Sequence, residues 1–286
     1  MKIPSLPLKP SNAFVKTTLQ MGVISAPLGM LLDNQHGLFN VLNYHAFQLT
    51  YVLPWDDIDH PILKSALWVP PLFAFAGWIM TFIVLQCDEL FNTNSILKNP
   101  SIPKVLYSIS YFSSQYYLSG LLDHVGVESV YIHLILIITA ILGYTIFDSS
   151  KAGLVLGLAT AISGPATEIG LINTIDTNLN IHLPTLSTIF EGSSSDSNSM
   201  NIDRVTGIVT SVTNNGNFEQ YTHIYDYNHA DIWGICSWIP WVYFLGAAGV
   251  GNLARLLYNY NHNFDNDNHN DCCDAKEEMT IQKESL

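Results

Sequence analysis

One acidic residue lies within an apolar stretch of the sequence that is long enough to cross a membrane. Glu168 follows Pro165 within the segment Ala152–Asn173. An ionisable group in a bilayer is costly, so it usually marks a transport pathway, a ligand site or a buried partner. Pro165 removes a backbone hydrogen bond and leaves a carbonyl free beside the carboxylate. The two residues predict a polar site inside a helical bundle, unless the carboxylate reaches water at the helix end.

A second group of residues could bind an amphipathic ligand. The segment Ile102–Leu122 alternates serine and glutamine with aromatic residues, namely Tyr107, Tyr111, Phe112, Tyr116 and Tyr117. A mostly apolar wall with a few polar anchors suits a flat ligand such as a sterol. The same pattern suits helix packing in which serines hydrogen-bond between helices. Both interpretations stay open from the residues alone.

Other reactive side chains lack partners at the spacing that metal binding or catalysis requires. His133 stands alone in an apolar stretch, which favours a structural histidine over a metal ligand or proton relay. The tail holds His262, His269, Cys272 and Cys273, without a rigid scaffold to arrange them. There is no Gly-x-Ser-x-Gly sequence, and Glu168 is the only acid that we place within a span. We therefore expect no enzymatic activity, no cofactor and no metal site.

The composition is typical of a membrane protein with several spans. Of 286 residues, 48% are hydrophobic and only 12% are charged, with a net charge of −13. Soluble domains carry about 25% charged residues. The hydrophobic share excludes a disordered protein, and the acidic balance argues against a nucleic-acid binder, which needs a basic face.

A transmembrane helix needs about 20 mostly apolar residues. The sequence contains six such segments, at about 14–32, 62–86, 102–122, 129–147, 152–173 and 232–257. They predict an all-α polytopic membrane protein, a bundle of six transmembrane helices within residues 14–258. The remaining residues form a cytosolic segment over 1–13, a long polar insertion over about 174–231 and a disordered acidic tail over 259–286.

The basic residues predict the orientation of these spans. With six spans, nine of the eleven lysines and arginines fall on the side that holds both termini, and only Lys64 and Arg204 fall on the other. Basic residues accumulate on the cytosolic side of membrane proteins. Both termini are therefore expected in the cytosol, and most of the excess acid faces the opposite side.

Four blocks of the sequence form a further pattern: ALWVPP at 66–71, LLD at 121–123, YTIFDSSKAGL at 144–154, and SWIPWVYF followed by GVGNLAR within 237–255. Together they resemble the insulin-induced gene (Insig) family of endoplasmic-reticulum membrane proteins. They keep the order and spacing of the family from about Ala66 to Leu257, except for the long fifth connector. The six helices and cytosolic termini of that family agree with the charge count.

The resemblance implies regulation of sterol and lipid homeostasis rather than catalysis. Insig proteins bind oxysterols within the membrane and hold sterol-sensing-domain proteins, Scap and HMG-CoA reductase, in the endoplasmic reticulum, as part of the SREBP pathway. A bacterial relative suggests a diacylglycerol-like lipid as another ligand. The family's cytosolic aspartate needed for Scap binding falls on Asp148, so partner binding is expected at Asp148, Ser149 and Lys151. After Asp148, this sequence has one basic residue fewer than the family has.

The resemblance also places lipid-binding residues. The aromatic residue on the sterol-facing side of the third helix falls on Phe112, and the polar residue early in the fourth falls near Tyr131. Tyr116 and Glu168 complete the expected lipid-binding set on the residue arguments above. The alternative is a lipid-binding or transport protein, a transporter of a lipid or small molecule that uses Glu168.

Overall fold

The computed structural model describes residues 11–45, 48–51, 62–174, 208–209 and 224–284. These residues contain seven helices: α1 Asn12–Leu38, α2 Val69–Leu90, α3 Ser95–Lys98, α4 Ile102–His124, α5 Ser129–Phe147, α6 Lys151–Thr174 and α7 Ile239–Glu284. Within the described part of the chain, α1, α2, α5 and α6 are long and apolar enough to cross a membrane. Large apolar side chains point outward from these helices, as for Val23 at 74% and Ile162 at 72% exposure. An apolar outer surface is what contact with lipid requires.

Two of the predicted spans begin later than expected, because proline sets the start of their helices. α2 begins at Val69 and carries proline in its first turn, where the missing N–H is tolerated. The residues before it form a strand instead of helix, so the prediction of a span from Ile62 is wrong at that end. α7 likewise begins at Ile239, next to Pro240, rather than at Ile232.

The described residues are mostly helical, as expected, and they also include short strands that the sequence analysis did not predict. β1 Leu42–Tyr44 pairs antiparallel with β5 Tyr225–Tyr227. β2 Gln48–Tyr51 pairs antiparallel with both β3 Leu63–Ala66 and β4 Ile208–Val209. Most of the polar insertion expected over 174–231 lies outside the described residues. Because these short strands pair with residues far away in the sequence, they show little local pattern, and the periodicity of the sequence did not predict them.

α7 is the central helix of the bundle and contacts every other long helix. Small residues along it allow close approach: a Cβ at Gly246 would lie 2.9 Å from the Phe112 ring, and Ala247 and Ala248 are buried. Membrane helices pack in this way through small residues. Phe112, which lies in the third predicted span, is therefore part of the core.

The helices alternate in direction, so the bundle has two distinct ends. The strand end carries the strands, the end of α1 and the start of α7. The turn end carries the α5–α6 turn at 148–150 and the end of α2. Asn261 of α7 donates to Thr17 near the start of α1 at 2.9 Å, so α7 returns to the level at which α1 begins.

The last helix is longer than the sequence predicts. α7 continues to Glu284, whereas we expected a disordered tail after residue 258. Once a helix is nucleated, each further residue adds one hydrogen bond at low cost, so α7 can extend into asparagine- and aspartate-rich residues that are themselves poor helix formers.

Candidate functional site

A cleft opens at the strand end of the bundle, between α1, α2, α6, α7 and the β1–β5 pair. It is narrow and open to the exterior. One part of its lining is apolar and the other carries carboxylates and tyrosines. The lining residues are Asp33, Leu42, Tyr44, Trp68, Val69, Leu72, Phe73, Glu168, Tyr225, Tyr227 and Tyr243.

Glu168 of α6 lies in this cleft and is held by tyrosines from other elements. Tyr227 of β5 donates its hydroxyl to Oε2, and Tyr243 of α7 donates to Oε1. The Tyr225 hydroxyl lies 3.4 Å from the backbone carbonyl of the same glutamate. The carboxylate thus contacts protein groups from two other elements, and it does not simply reach water at a helix end.

Asp33 is a second carboxylate in the cleft, and the sequence reasoning missed it. Its side chain accepts a hydrogen bond from Tyr44 of β1 and another at 3.4 Å from Ser65 of β3. It is only 8% exposed. We expected the first span to end at Leu32, but α1 continues to Leu38 and carries Asp33 into the bundle. Asp33 and His36, one helical turn apart, are both buried, which the sequence alone does not show.

The cleft carries hydrogen-bond acceptors, and one of its lining residues holds a buried N–H group without a partner. Neither carboxylate faces a basic residue among those that line the cleft. Burial, and then the negative charges of Glu168 and Asp33, raise the pKa of the Tyr225 hydroxyl, so it stays a donor. The indole Nε1 of Trp68 is buried without a hydrogen-bond partner among the described residues. Buried polar groups are normally paired, so this donor suits a ligand that carries an acceptor.

Three of the four predicted lipid-binding residues form one connected group. Phe112 and Tyr116 of α4 meet edge to face at 5.6 Å between ring centroids. Tyr116 lies close to Tyr243, which in turn donates to Glu168. Tyr131 is not part of this group: it is 57% exposed on the outside of α5. The structure therefore joins the α4 aromatic residues to the cleft and leaves Tyr131 at the outer surface.

The predicted partner-binding residues lie at the opposite, turn end. Ser149 and Lys151 are exposed, and Ser149 has a positive φ of 53°. Asp148 is instead 1% exposed. Its carboxylate lies 3.2 Å from Arg255 of α7, a contact that sequence reasoning did not foresee. The role of these three residues in partner binding stays a prediction.

A serine, a histidine and an aspartate also meet at the strand end. His133 Nε2 lies 2.8 Å from Ser237 Oγ, which donates to Asp231 at 2.6 Å. Trp241 Nε1 donates to His133 Nδ1 at 3.0 Å, so Nδ1 accepts and Nε2 carries the proton. A protonated Nε2 cannot take a proton from the serine, as a nucleophilic mechanism requires. This arrangement fixes the start of α7 rather than activating Ser237.

Comparison with known proteins shows that this chain is similar to solved structures in its fold. No protein-family model matches the chain, and no curated protein matches its sequence. The crystal structure of MvINS, a mycobacterial Insig homolog from Mycobacterium vanbaalenii, aligns with a TM-score of 0.54 over 85% of this chain and 94% of that protein. The chain has an Insig-like fold. A cross-linked MvINS trimer aligns equally well, at the same 13% identity.

The Insig-like fold and the apolar helices together indicate a multi-pass membrane protein. At 13% identity the likeness concerns architecture alone. The cleft with Asp33 and Glu168 is therefore described from the residues of this chain and not by transfer from MvINS.

Proposed function

We propose that this Insig-like protein is a non-enzymatic regulator of sterol and lipid homeostasis in the endoplasmic-reticulum membrane. It binds a sterol, an oxysterol or a diacylglycerol-like lipid within the bundle and retains or regulates a sterol-sensing-domain partner, such as a Scap-like protein or HMG-CoA reductase. Six helices span the membrane, with both termini in the cytosol. The observation that carries the proposal is the strand-end cleft, within an Insig-like fold.

The chemistry of the cleft fits a lipid with a hydroxyl group. A sterol or diacylglycerol presents a large apolar body and at least one hydroxyl. Leu42, Leu72 and Phe73 offer apolar surface, and the carboxylates of Asp33 and Glu168 accept hydrogen bonds. A hydrogen bond contributes about 0.5–1.5 kcal/mol between neutral groups and about 1.5–3 kcal/mol where one group is charged. The unpaired Trp68 N–H would favour a ligand that also carries a carbonyl or second oxygen.

The turn end is the proposed site of partner contact. Ser149 and Lys151 are exposed there, and they flank the turn between α5 and α6. In the proposed topology this end faces the cytosol. Lys151 would supply a positive charge and Ser149 a hydroxyl group to an acidic or polar surface of the partner.

Crosslinking tests lipid binding directly. Purified protein in nanodiscs is irradiated with a photoactivatable sterol and, separately, a photoactivatable diacylglycerol, and the labelled peptides are sequenced. We expect labels on α4 near Phe112 and Tyr116 and at the cleft, and reduced labelling in Glu168→Gln. Glu128→Gln is the matched control, because Glu128 is exposed and lies outside the cleft lining, and it should label like the wild type. Labels confined to other helices, or their absence with both probes, would refute lipid binding at this site.

Partner binding is tested by affinity purification in mild detergent with and without added sterol. We expect a sterol-sensing-domain membrane protein to co-purify, and the added sterol to change its amount. Recovery of the protein without such a partner under both conditions would refute the regulatory role and leave the crosslinking result unaffected.

The second candidate function, transport, is favoured by the presence of Asp33 and Glu168 in one cleft. Two carboxylates in one cleft, without a basic residue in its lining, are suited to bind a proton or cation that moves with a substrate. Proteoliposomes containing the wild type would then show a flux that Glu168→Gln and Asp33→Asn abolish. Equal flux in wild-type and variant liposomes would exclude this function.

A further inference from the structure

A buried ion network joins three elements that are far apart in the sequence. Arg255 of α7 binds both carboxylate oxygens of Asp88 at the end of α2, with distances of 2.7 Å from Nε and 2.9 Å from Nη2. Its third nitrogen, Nη1, lies 3.2 Å from Oδ2 of Asp148. The three side chains are at most 4% exposed. We call Asp88, Arg255 and Asp148 the clamp.

The clamp continues into the α5–α6 turn. Asp148 Oδ1 accepts hydrogen bonds from the backbone N–H of Ser150 at 3.2 Å and from its hydroxyl at 2.5 Å. Ser150 Oγ in turn accepts from Gly153 N–H at 2.9 Å and from Arg255 Nη2 at 3.2 Å. Asn252 of α7 donates to the carbonyl of Phe147 at 3.0 Å. The turn is thus held from inside the bundle on both sides of Asp148.

We propose that Asp148 is a positioning residue for partner binding and does not itself touch the partner. Together with Asp88 and Arg255 it holds the turn in the shape that presents Ser149 and Lys151. This inference rests on the proposed function. A carboxylate that is 1% exposed and fixed by an arginine and a serine cannot reach a partner unless the turn opens.

The inference makes Asp88 as important to the turn as Asp148, although the two are 60 positions apart in the sequence. Loss of either carboxylate alters the position of the same arginine. A buried charge that loses its partner is strongly unfavourable, so the local structure rearranges to hydrate it. Opening of the turn is the expected rearrangement, because the turn lies at the edge of the bundle.

The experiment measures turn opening without any partner. Ala152 is fully buried directly after the turn, and Ala152→Cys in a chain whose four native cysteines are replaced by serine reports opening by its reaction with a polar maleimide. We expect labelling to become about five- to thirtyfold faster in both Asp88→Asn and Asp148→Asn, the range that a modest loss of local stability gives. Arg255→Lys keeps the positive charge but loses the forked guanidinium group. Its labelling rate should therefore lie between those of the wild type and the two aspartate variants.

Asp123→Asn is the matched control. Asp123 is 6% exposed and pairs with His229 at the strand end, outside the clamp, so its variant should leave labelling at Ala152→Cys unchanged. An equal rise in this control would mean general destabilisation and overturn the inference. Unchanged labelling in Asp88→Asn and Asp148→Asn would overturn it as well.

Partner capture then separates positioning from contact. The sterol-sensing-domain partner should be lost from Asp88→Asn and Asp148→Asn alike. The double variant Ser149→Ala, Lys151→Gln should lose the partner while labelling at Ala152→Cys stays at its original rate. Loss of capture in Asp148→Asn with full capture in Asp88→Asn would mean direct contact by Asp148 and refute the inference. If the wild type captures no such partner, the proposed function fails, and the labelling still decides whether the clamp holds the turn.

Discussion

Replacing Tyr243 by phenylalanine removes one hydroxyl from the cleft and leaves the ring in place. The hydroxyl donates to Glu168, which lies partly buried between α6 and α7. A hydrogen bond to a charged group contributes about 1.5–3 kcal/mol. Because Tyr227 still donates to the other carboxylate oxygen, we expect Tyr243→Phe to lower the free energy of unfolding by an amount in the lower half of that range.

Equilibrium unfolding in mixed detergent and SDS micelles measures this change. Tyr131→Phe is the matched control, since Tyr131 is 57% exposed and lies away from the cleft. An exposed substitution of this kind should stay within about 0.5 kcal/mol of the wild type. The two variants lose the same atom, so the difference between them reports the environment of the hydroxyl.

A double-mutant cycle with Glu168→Gln tests the cause. A neutral amide accepts a weaker hydrogen bond, about 0.5–1.5 kcal/mol. Tyr243→Phe should therefore cost less in the Glu168→Gln chain, with a coupling energy of about 1 kcal/mol. A cost of Tyr243→Phe equal to that of Tyr131→Phe, or full additivity with Glu168→Gln, would refute the reasoning.

Three further predictions concern other parts of the bundle. Gly153→Ala places a Cβ 1.8 Å from Asp148 Oδ2, so it should destabilise the fold by about 1–3 kcal/mol in the same unfolding assay. Arg255→Met leaves two buried carboxylates without a counter-charge and should cost about 3–5 kcal/mol; a loss below 1 kcal/mol would contradict a buried ion network. Burial raises the pKa of Asp231, but hydrogen bonds from Ser237 outweigh it and lower the pKa below 3.8. Its ionised form therefore stabilises the fold above that value, and the difference in stability between wild type and Asp231→Asn should shrink as the pH falls through the lowered pKa.

The positions of several helices could be predicted because they depend on local properties. The segments expected at 102–122, 129–147 and 152–173 agree closely with α4, α5 and α6, since a helix satisfies its backbone hydrogen bonds within one segment and a membrane helix tolerates a proline such as Pro165. The starts of α2 and α7 were misplaced. Whether Leu63–Ala66 forms a strand depends on its pairing with Gln48–Tyr51, a contact that no local pattern records.

The candidate site was predictable only in part, for the same reason. Glu168 could be recognised from the sequence because a charge inside an apolar run is costly wherever the chain folds. Asp33 could not, since its importance depends on the end of α1 meeting β1 and α6.

The sequence by itself determined that this protein is built from apolar helices in a fixed order, because hydrophobicity and helix length act along the chain. Only the tertiary structure decided which polar groups meet. It joined Glu168 to Tyr243, and it turned Asp148 inward to Arg255, more than 100 positions away. Hydrogen bonds and ion pairs require atoms within a few ångströms, and the packing of distant helices sets those distances.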